Sequence, residues 1–202
     1  MGTTAKILIG ILVLVVIVAI IVIGWLFSIR NQMVSLEESV NSSWAQVQNQ
    51  YQRRYDLIPN LVETVKGYAA QEREVLLGVT EARAKAGGVM NMSPELLNDP
   101  QAFARFQEAQ AGLSSALQRL LVVVERYPDL KSNQNFLTLQ AQLEGTENRI
   151  AVERRRFNEQ VQVYNSYIRR FPQALVASIF GFKTKSYFEA IPEAEQTPKV
   201  QF

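Results

Sequence analysis

Apolar residues fill Ile7 to Ile29 almost without interruption, broken only by Gly10, Gly24 and Ser28. A run of about 20 such residues crosses a hydrocarbon core as a helix. Lys6 and Arg30 bracket the run, and Trp25 and Phe27 stand near one end, where interfacial aromatics belong. A cleaved secretion signal has a shorter apolar stretch, about 7–15 residues, followed by small residues. Here Trp25-Leu26-Phe27 occupies the place of those small residues. The sequence therefore predicts an uncleaved, single-pass anchor. One basic side chain on each flank assigns no orientation.

Beyond the anchor the pattern changes. Met33, Leu36, Val40, Trp44, Val47, Tyr51, Tyr55 and Ile58 recur in steps of three and four, with polar residues between them. That is one face of a helix. Pro59 interrupts the stripe, which then resumes in phase through Leu61, Val65, Leu76, Val79 and Ala86. The preserved phase favours one long kinked helix over a hairpin at Pro59. The hairpin alternative has Asp56 as a cap and Pro59 in a new first turn. Gly87-Gly88 closes the helix.

Ser93-Pro94 and Asp99-Pro100 both read as a cap followed by proline. The next stripe is Phe103, Phe106, Gln110, Leu113, Leu117, Leu120, Val124 and Tyr127, ended by Pro128. Ser132 is placed to cap the last long helix, whose face runs from Phe136 through Leu143, Glu147, Ile150, Arg154, Phe157 and Tyr164 to Ile168. The expected fold is all-α. A transmembrane helix (7–29) precedes a long antiparallel helical bundle (30–188), between short tails at 1–6 and 189–202. The bundle has a long kinked first helix, two further long helices and a short C-terminal helix.

Length adds an expectation. At 1.5 Å per residue, a helix from Met33 to Ala86 reaches about 80 Å, and the two later helices only about 40 and 57 Å. Met33 to Ile58 is then left uncovered, with Trp44, Tyr51 and Tyr55 in a row, and such a patch marks an interface. A second copy of the chain is the simplest cover. A hairpin at Pro59 instead gives four helices that bury everything within one chain.

Glu147 and Arg154 are charged positions on an apolar face. They either snorkel to water or form a buried polar cluster with Arg53 or Arg54. Phe171 to Phe188 is rich in aromatic and apolar residues, with Lys183 and Lys185 interleaved. It either packs back over the bundle end or docks on a membrane surface or a neighbouring subunit. Val200-Gln201-Phe202 ends the chain in an apolar-x-apolar pattern, the kind that a sheet edge captures by its carboxylate.

Composition removes most enzymatic chemistry. With no His and no Cys there is no imidazole base, no thiol nucleophile and no Cys/His metal site. No second acid or base stands at a convincing spacing from Glu147. The expectation is a chain with no catalytic residues, no cofactor and no metal. A net charge of +2 gives too weak a footprint for nucleic acid.

The run Arg53-Arg54-Tyr55-Asp56-Leu57-Ile58-Pro59-Asn60-Leu61-Val62-Glu63 strongly resembles the signature of LemA family proteins. Tyr127-Pro128-Asp129-Leu130-Lys131, Glu144-Gly145-Thr146-Glu147-Asn148-Arg149-Ile150, Phe157-Asn158, Tyr164-Asn165 and Phe171-Pro172 extend the resemblance over essentially the whole chain. Phe157 departs from the Tyr that the family pattern has before Asn. The resemblance implies an anchored helical domain in the bacterial inner (cell) membrane, associated with membrane proteolysis, with no agreed catalytic set. The candidate interaction residues are Trp44, Tyr51, Arg53, Arg54, Tyr55, Asp56, Pro59, Asn60 and Phe202. Two functions compete. One is a membrane scaffold that self-associates through its first soluble helix. The other is a monomeric adaptor that shows its helix faces or C-terminus to a membrane protease or other client. Expected partners are the lipid bilayer, further copies of the chain and such a protease.

Overall fold

A computed structural model describes residues 2–89 and 94–189. The described residues form six α-helices and no strand. Helix α1 runs without a break from Thr3 to Tyr68, 66 residues that carry the apolar run straight into the bundle. Its most apolar 18-residue window has a mean hydropathy of 3.3 and holds no buried residue. Helix α2 is Arg73–Gly88. A single turn at Pro94–Asn98 leads into α3, Pro100–Val124. Short α4, Pro128–Lys131, precedes α5, Gln134–Arg169, and α6 is Gln173–Phe180.

The helix ends follow local chemistry. Asp99 accepts from the backbone N–H of Gln101 and Ala102 at 2.9 and 3.1 Å, so the orphan donors of α3 are satisfied, and Pro100 takes the position that needs none. Asn133, rather than the expected Ser132, caps α5 by accepting from Phe136 N–H at 3.1 Å. Ser132 instead ends α4. Gly181, at φ +76°, closes α6 in the left-handed region where a side chain is strained.

The bundle is organised by one long antiparallel pair. Helix α5, at 36 residues, spans about 54 Å, close to the soluble reach of α1 from Asn31 to Tyr68. Helix α2 lies against the far half of this pair, and α3 reaches both halves. Two apolar clusters result. Next to the apolar run, Met33, Val40, Trp44, Val47 and Tyr51 of α1 meet Phe103 and Phe106 of α3, Phe157, Val161, Tyr164 and Ile168 of α5, and Phe188. Farther out, Ile58, Leu61 and Val65 of α1 meet Leu76 and Val79 of α2, Leu113, Leu117 and Leu120 of α3, and Phe136 and Leu143 of α5.

Two expectations are corrected. The first soluble helix passes through Pro59 as a helix, but it ends at Tyr68 and not at Ala86. The chain reverses over Ala69–Glu72, where neither glycine nor proline stands. Tertiary bonds hold that turn: Tyr127 Oη donates to Glu72 at 2.9 Å, and Gln71 donates to Tyr127 Oη at 3.0 Å. Because α1 stops there, α5 reaches its whole length. The stripe of Met33 to Ile58 is therefore covered within the chain and not left open: Trp44 is 1% exposed and Tyr51 3%.

Candidate functional site

Between the two apolar clusters lies a polar layer built around Arg54, which is 1% exposed. Its Nη1 donates to Glu147 Oε1 and to Ser114 Oγ, both at 2.8 Å. Its Nη2 donates to the side-chain oxygen of Gln110. The guanidinium lies 5.1 Å from the Tyr51 ring centre. A single α1 side chain thus binds α3 and α5 together. Glu147 keeps an edge in water, with 38% of its side chain exposed, so only one of the two charges is fully desolvated. A buried pair of this kind fixes register more than it stabilises. Of the alternatives for Glu147, the buried cluster with Arg54 is present. Arg154 does something else: it stands 4.5 Å over the Phe188 ring and donates to Glu189 O.

Pro59 explains the next contact. Proline has no N–H, so in a helix the carbonyl four residues earlier loses its partner. That carbonyl belongs to Tyr55, and Arg83 Nε of α2 donates to it at 3.1 Å. The Arg83 guanidinium also lies 3.7 Å from the Tyr55 ring centre. The ring fits against Gly87, where an added Cβ would sit 2.9 Å from Tyr55 Cε2 and from its hydroxyl. Tyr55, Pro59, Arg83 and Gly87 together form the seat of α2 on α1.

The third feature is the extended segment after α6. Asn165 donates to Lys185 O and accepts from Lys185 N–H, both at 2.9 Å. Asn158 does the same with Phe188, again at 2.9 Å. Seven helical residues rise about 10.5 Å. Three extended residues cover about 10 Å, so the two rungs match. Lys185, 5% exposed at its side chain, reaches Glu37 of α1 at 2.6 Å. Phe188 then plugs the proximal core, its ring 6.0 Å from Trp44 and 5.0 Å from Phe103. The sequence reading did not assign these roles. The repeated aromatic-Asn pairs, Phe157-Asn158 and Tyr164-Asn165, were the available signal.

The candidate residues therefore separate. Trp44, Tyr51 and Arg54 lie inside, and Tyr55 is half-buried. Arg53, Asp56, Pro59 and Asn60 are on the surface, Asp56 accepting from Gln52 at 2.7 Å. Phe202 lies outside the described residues, as does the tail from residue 190 onward. Burial raises the pKa of Tyr51, and Arg154 and Arg54 oppose the rise. Burial also raises that of Tyr164, which donates to Lys183 O at 3.0 Å. Among the described residues no group of acidic side chains is placed to hold a metal ion. Open grooves cut the surface. One, about 1070 Å³, runs between α1 and α5 near the apolar run and is lined by Ser35, Ser39, Ser42, Glu153, Arg156 and Glu159.

An apolar helix continuous with an antiparallel helical bundle defines a membrane-associated all-helical protein. Residues 43–202 match the LemA family, and the chain belongs to that family. It is 30% identical, over 183 residues, to the magnetosome protein MamQ of Magnetospirillum gryphiswaldense, covering 83% of this chain and 67% of the relative. The magnetosome protein MamQ 2 of Paramagnetospirillum magneticum is similar to the same extent.

Proposed function

We propose that the chain is a single-pass, inner-membrane adaptor that acts without catalysis. As a monomer, it presents helix faces to a membrane-bound client at a fixed height above the bilayer. The observation that carries this reading is the burial of the Trp44 and Tyr51 stripe within one chain. The bundle covers its own apolar face, so a second copy is not required to shield it. The unbroken α1 supports the fixed height, because span and bundle core share one helix. The surface side of the Arg53 to Asn60 motif and the α1–α5 groove are the faces offered. A membrane protease is the class of client that the family resemblance suggests.

The test is the mass of the full chain in lipid nanodiscs wide enough for several copies, joined to photo-crosslinking from Ser39 in cells. One copy per disc and a heterotypic adduct are expected. A discrete oligomer, or an adduct of the chain with itself, replaces the adaptor with the self-associating scaffold.

A further inference from the structure

Helix α6 is apolar on two opposite faces. Val176 and Ala177 are buried against α1, in the cluster that holds Ile29 and Met33. Leu175 and Ile179, four residues apart, lie on the other face and are 58 and 75% exposed; Phe171, just before the helix, is 82% exposed. Phe180 is 46% exposed, beneath the Arg30 guanidinium at 5.5 Å. In α6 only Gln173 and Ser178 carry polar side chains. A helix that is hydrophobic all round is normally a buried one, and no described part of this chain covers the outer face.

The position of α6 along α1 says what does. Leu8 to Phe27 is about 30 Å of helix, the thickness of a hydrocarbon core. Leu26, Ile29 and Met33, where α6 docks, then stand at the boundary between acyl chains and headgroups. Trp25 and Phe27 are exposed at that level. The charges agree. Residues 7–36 and 160–188 contain no Asp or Glu, whereas Arg30, Arg169, Arg170 and Lys183 are basic, and the buried Lys185 is paired with Glu37. Arg169 and Arg170 are exposed at the end of α5 that meets α6. An apolar face rimmed by cations is the pattern of a helix lying in an anionic interface.

We propose that α6 is a second membrane contact. It lies in the interface of the leaflet where the span emerges, with Phe171, Leu175 and Ile179 among the acyl chains and Arg30, Arg169 and Arg170 at lipid phosphates. The bundle then stands on two supports, which fixes its tilt and its rotation about α1. This inference rests on the anchored reading of α1.

The natural chain has no cysteine, so single labels are clean. Full-length L175C, I179C, V16C and V122C variants carry an environment-sensitive fluorophore in vesicles of mixed phosphatidylcholine and phosphatidylglycerol. Labels at 175 and 179 are expected to shift to the blue, to be quenched by shallow spin-labelled lipids and to lose iodide quenching. The label at Val16 reports the deep span, and that at Val122, 70% exposed on α3, reports water. If 175 and 179 behave like 122 while 16 is quenched by deep lipids, the proposal fails and the anchor stands. If 16 is also untouched by lipid quenchers, the anchor itself fails and the proposal with it. Iodide protection without lipid quenching, lost on diluting protein in lipid, assigns the face to a second copy and overturns the proposal.

Discussion

The Asn158 side-chain amide exchanges two hydrogen bonds with the backbone of Phe188, each 2.9 Å long. An extended segment is thus held to a helix as a strand is held to a sheet edge, with asparagine standing in for a neighbouring backbone. Removing the amide in Asn158→Ala costs both bonds, about 2 kcal/mol together. The Phe188 amide is expected to exchange with deuterium much faster in that variant, while the α1–α5 amides keep their protection. Unchanged exchange at Phe188 would mean that ring packing alone holds the segment.

Arg54 and Glu147 are unequal partners, and their removal is unequal too. In Arg54→Met the surviving carboxylate is already 38% exposed and turns to water. In Glu147→Ala the surviving guanidinium stays buried, bonded only to the neutral Gln110 and Ser114 and stacked by the Tyr51 ring. Stranding a buried charge costs about 3–5 kcal/mol. Denaturant midpoints of the full chain in micelles are expected to fall further for Glu147→Ala than for Arg54→Met. The reverse order would show that the guanidinium reaches water more easily than its burial implies.

These examples show how far the residues could be read in advance. Asp99, Gly87-Gly88 and the three- and four-residue stripes are local signals, and they located helices and several of their ends. The long apolar helix at the start of α1 was legible from the apolar run alone. The reversal at Ala69–Glu72 was not. It carries no breaker residue and is held by Tyr127, 55 residues away from Glu72 in sequence. Missing that turn made α1 look too long for its partners and left Trp44 and Tyr51 looking exposed. Arg54 as a possible partner of Glu147 was visible in the pattern of charges. The pairing of Arg83 with a carbonyl freed by Pro59 needed the fold, because 28 residues separate Arg83 from Tyr55.

The chain has no histidine, and two buried tyrosines shape its response to alkaline pH. Burial raises the Tyr51 pKa above its ordinary 10.0. In the unfolded chain the phenol ionises first as pH climbs past that value, so the stability present below about 10 is lost above it. Tyr164 acts in the same direction. The folded state should therefore weaken progressively above pH 10. Tyr51→Phe, which loses no hydrogen bond seen in the structure, should blunt that alkaline loss and change little at pH 7. A thermal melt series that shows the same alkaline slope in both proteins would remove Tyr51 from the account.

Pro59 and Arg83 should prove coupled although they do not share a bond. Arg83→Ala leaves the Tyr55 carbonyl without a partner, at a cost of about 1–3 kcal/mol. In Pro59→Ala the new N–H at position 59 restores the helical bond to that same carbonyl. An interior proline is itself unfavourable by about 3 kcal/mol, so Pro59→Ala alone should raise stability. Arg83→Ala made in the Pro59→Ala background should then cost less than in the natural chain, by about 1 kcal/mol. Equal costs in the two backgrounds would mean that Arg83 acts only through its stacking on the Tyr55 ring. Gly87→Ala supplies the independent check. Its methyl group meets that ring at 2.9 Å, so α2 should be displaced whether or not the carbonyl is satisfied. Pro59→Ala should therefore give no protection against Gly87→Ala, although it does protect against Arg83→Ala.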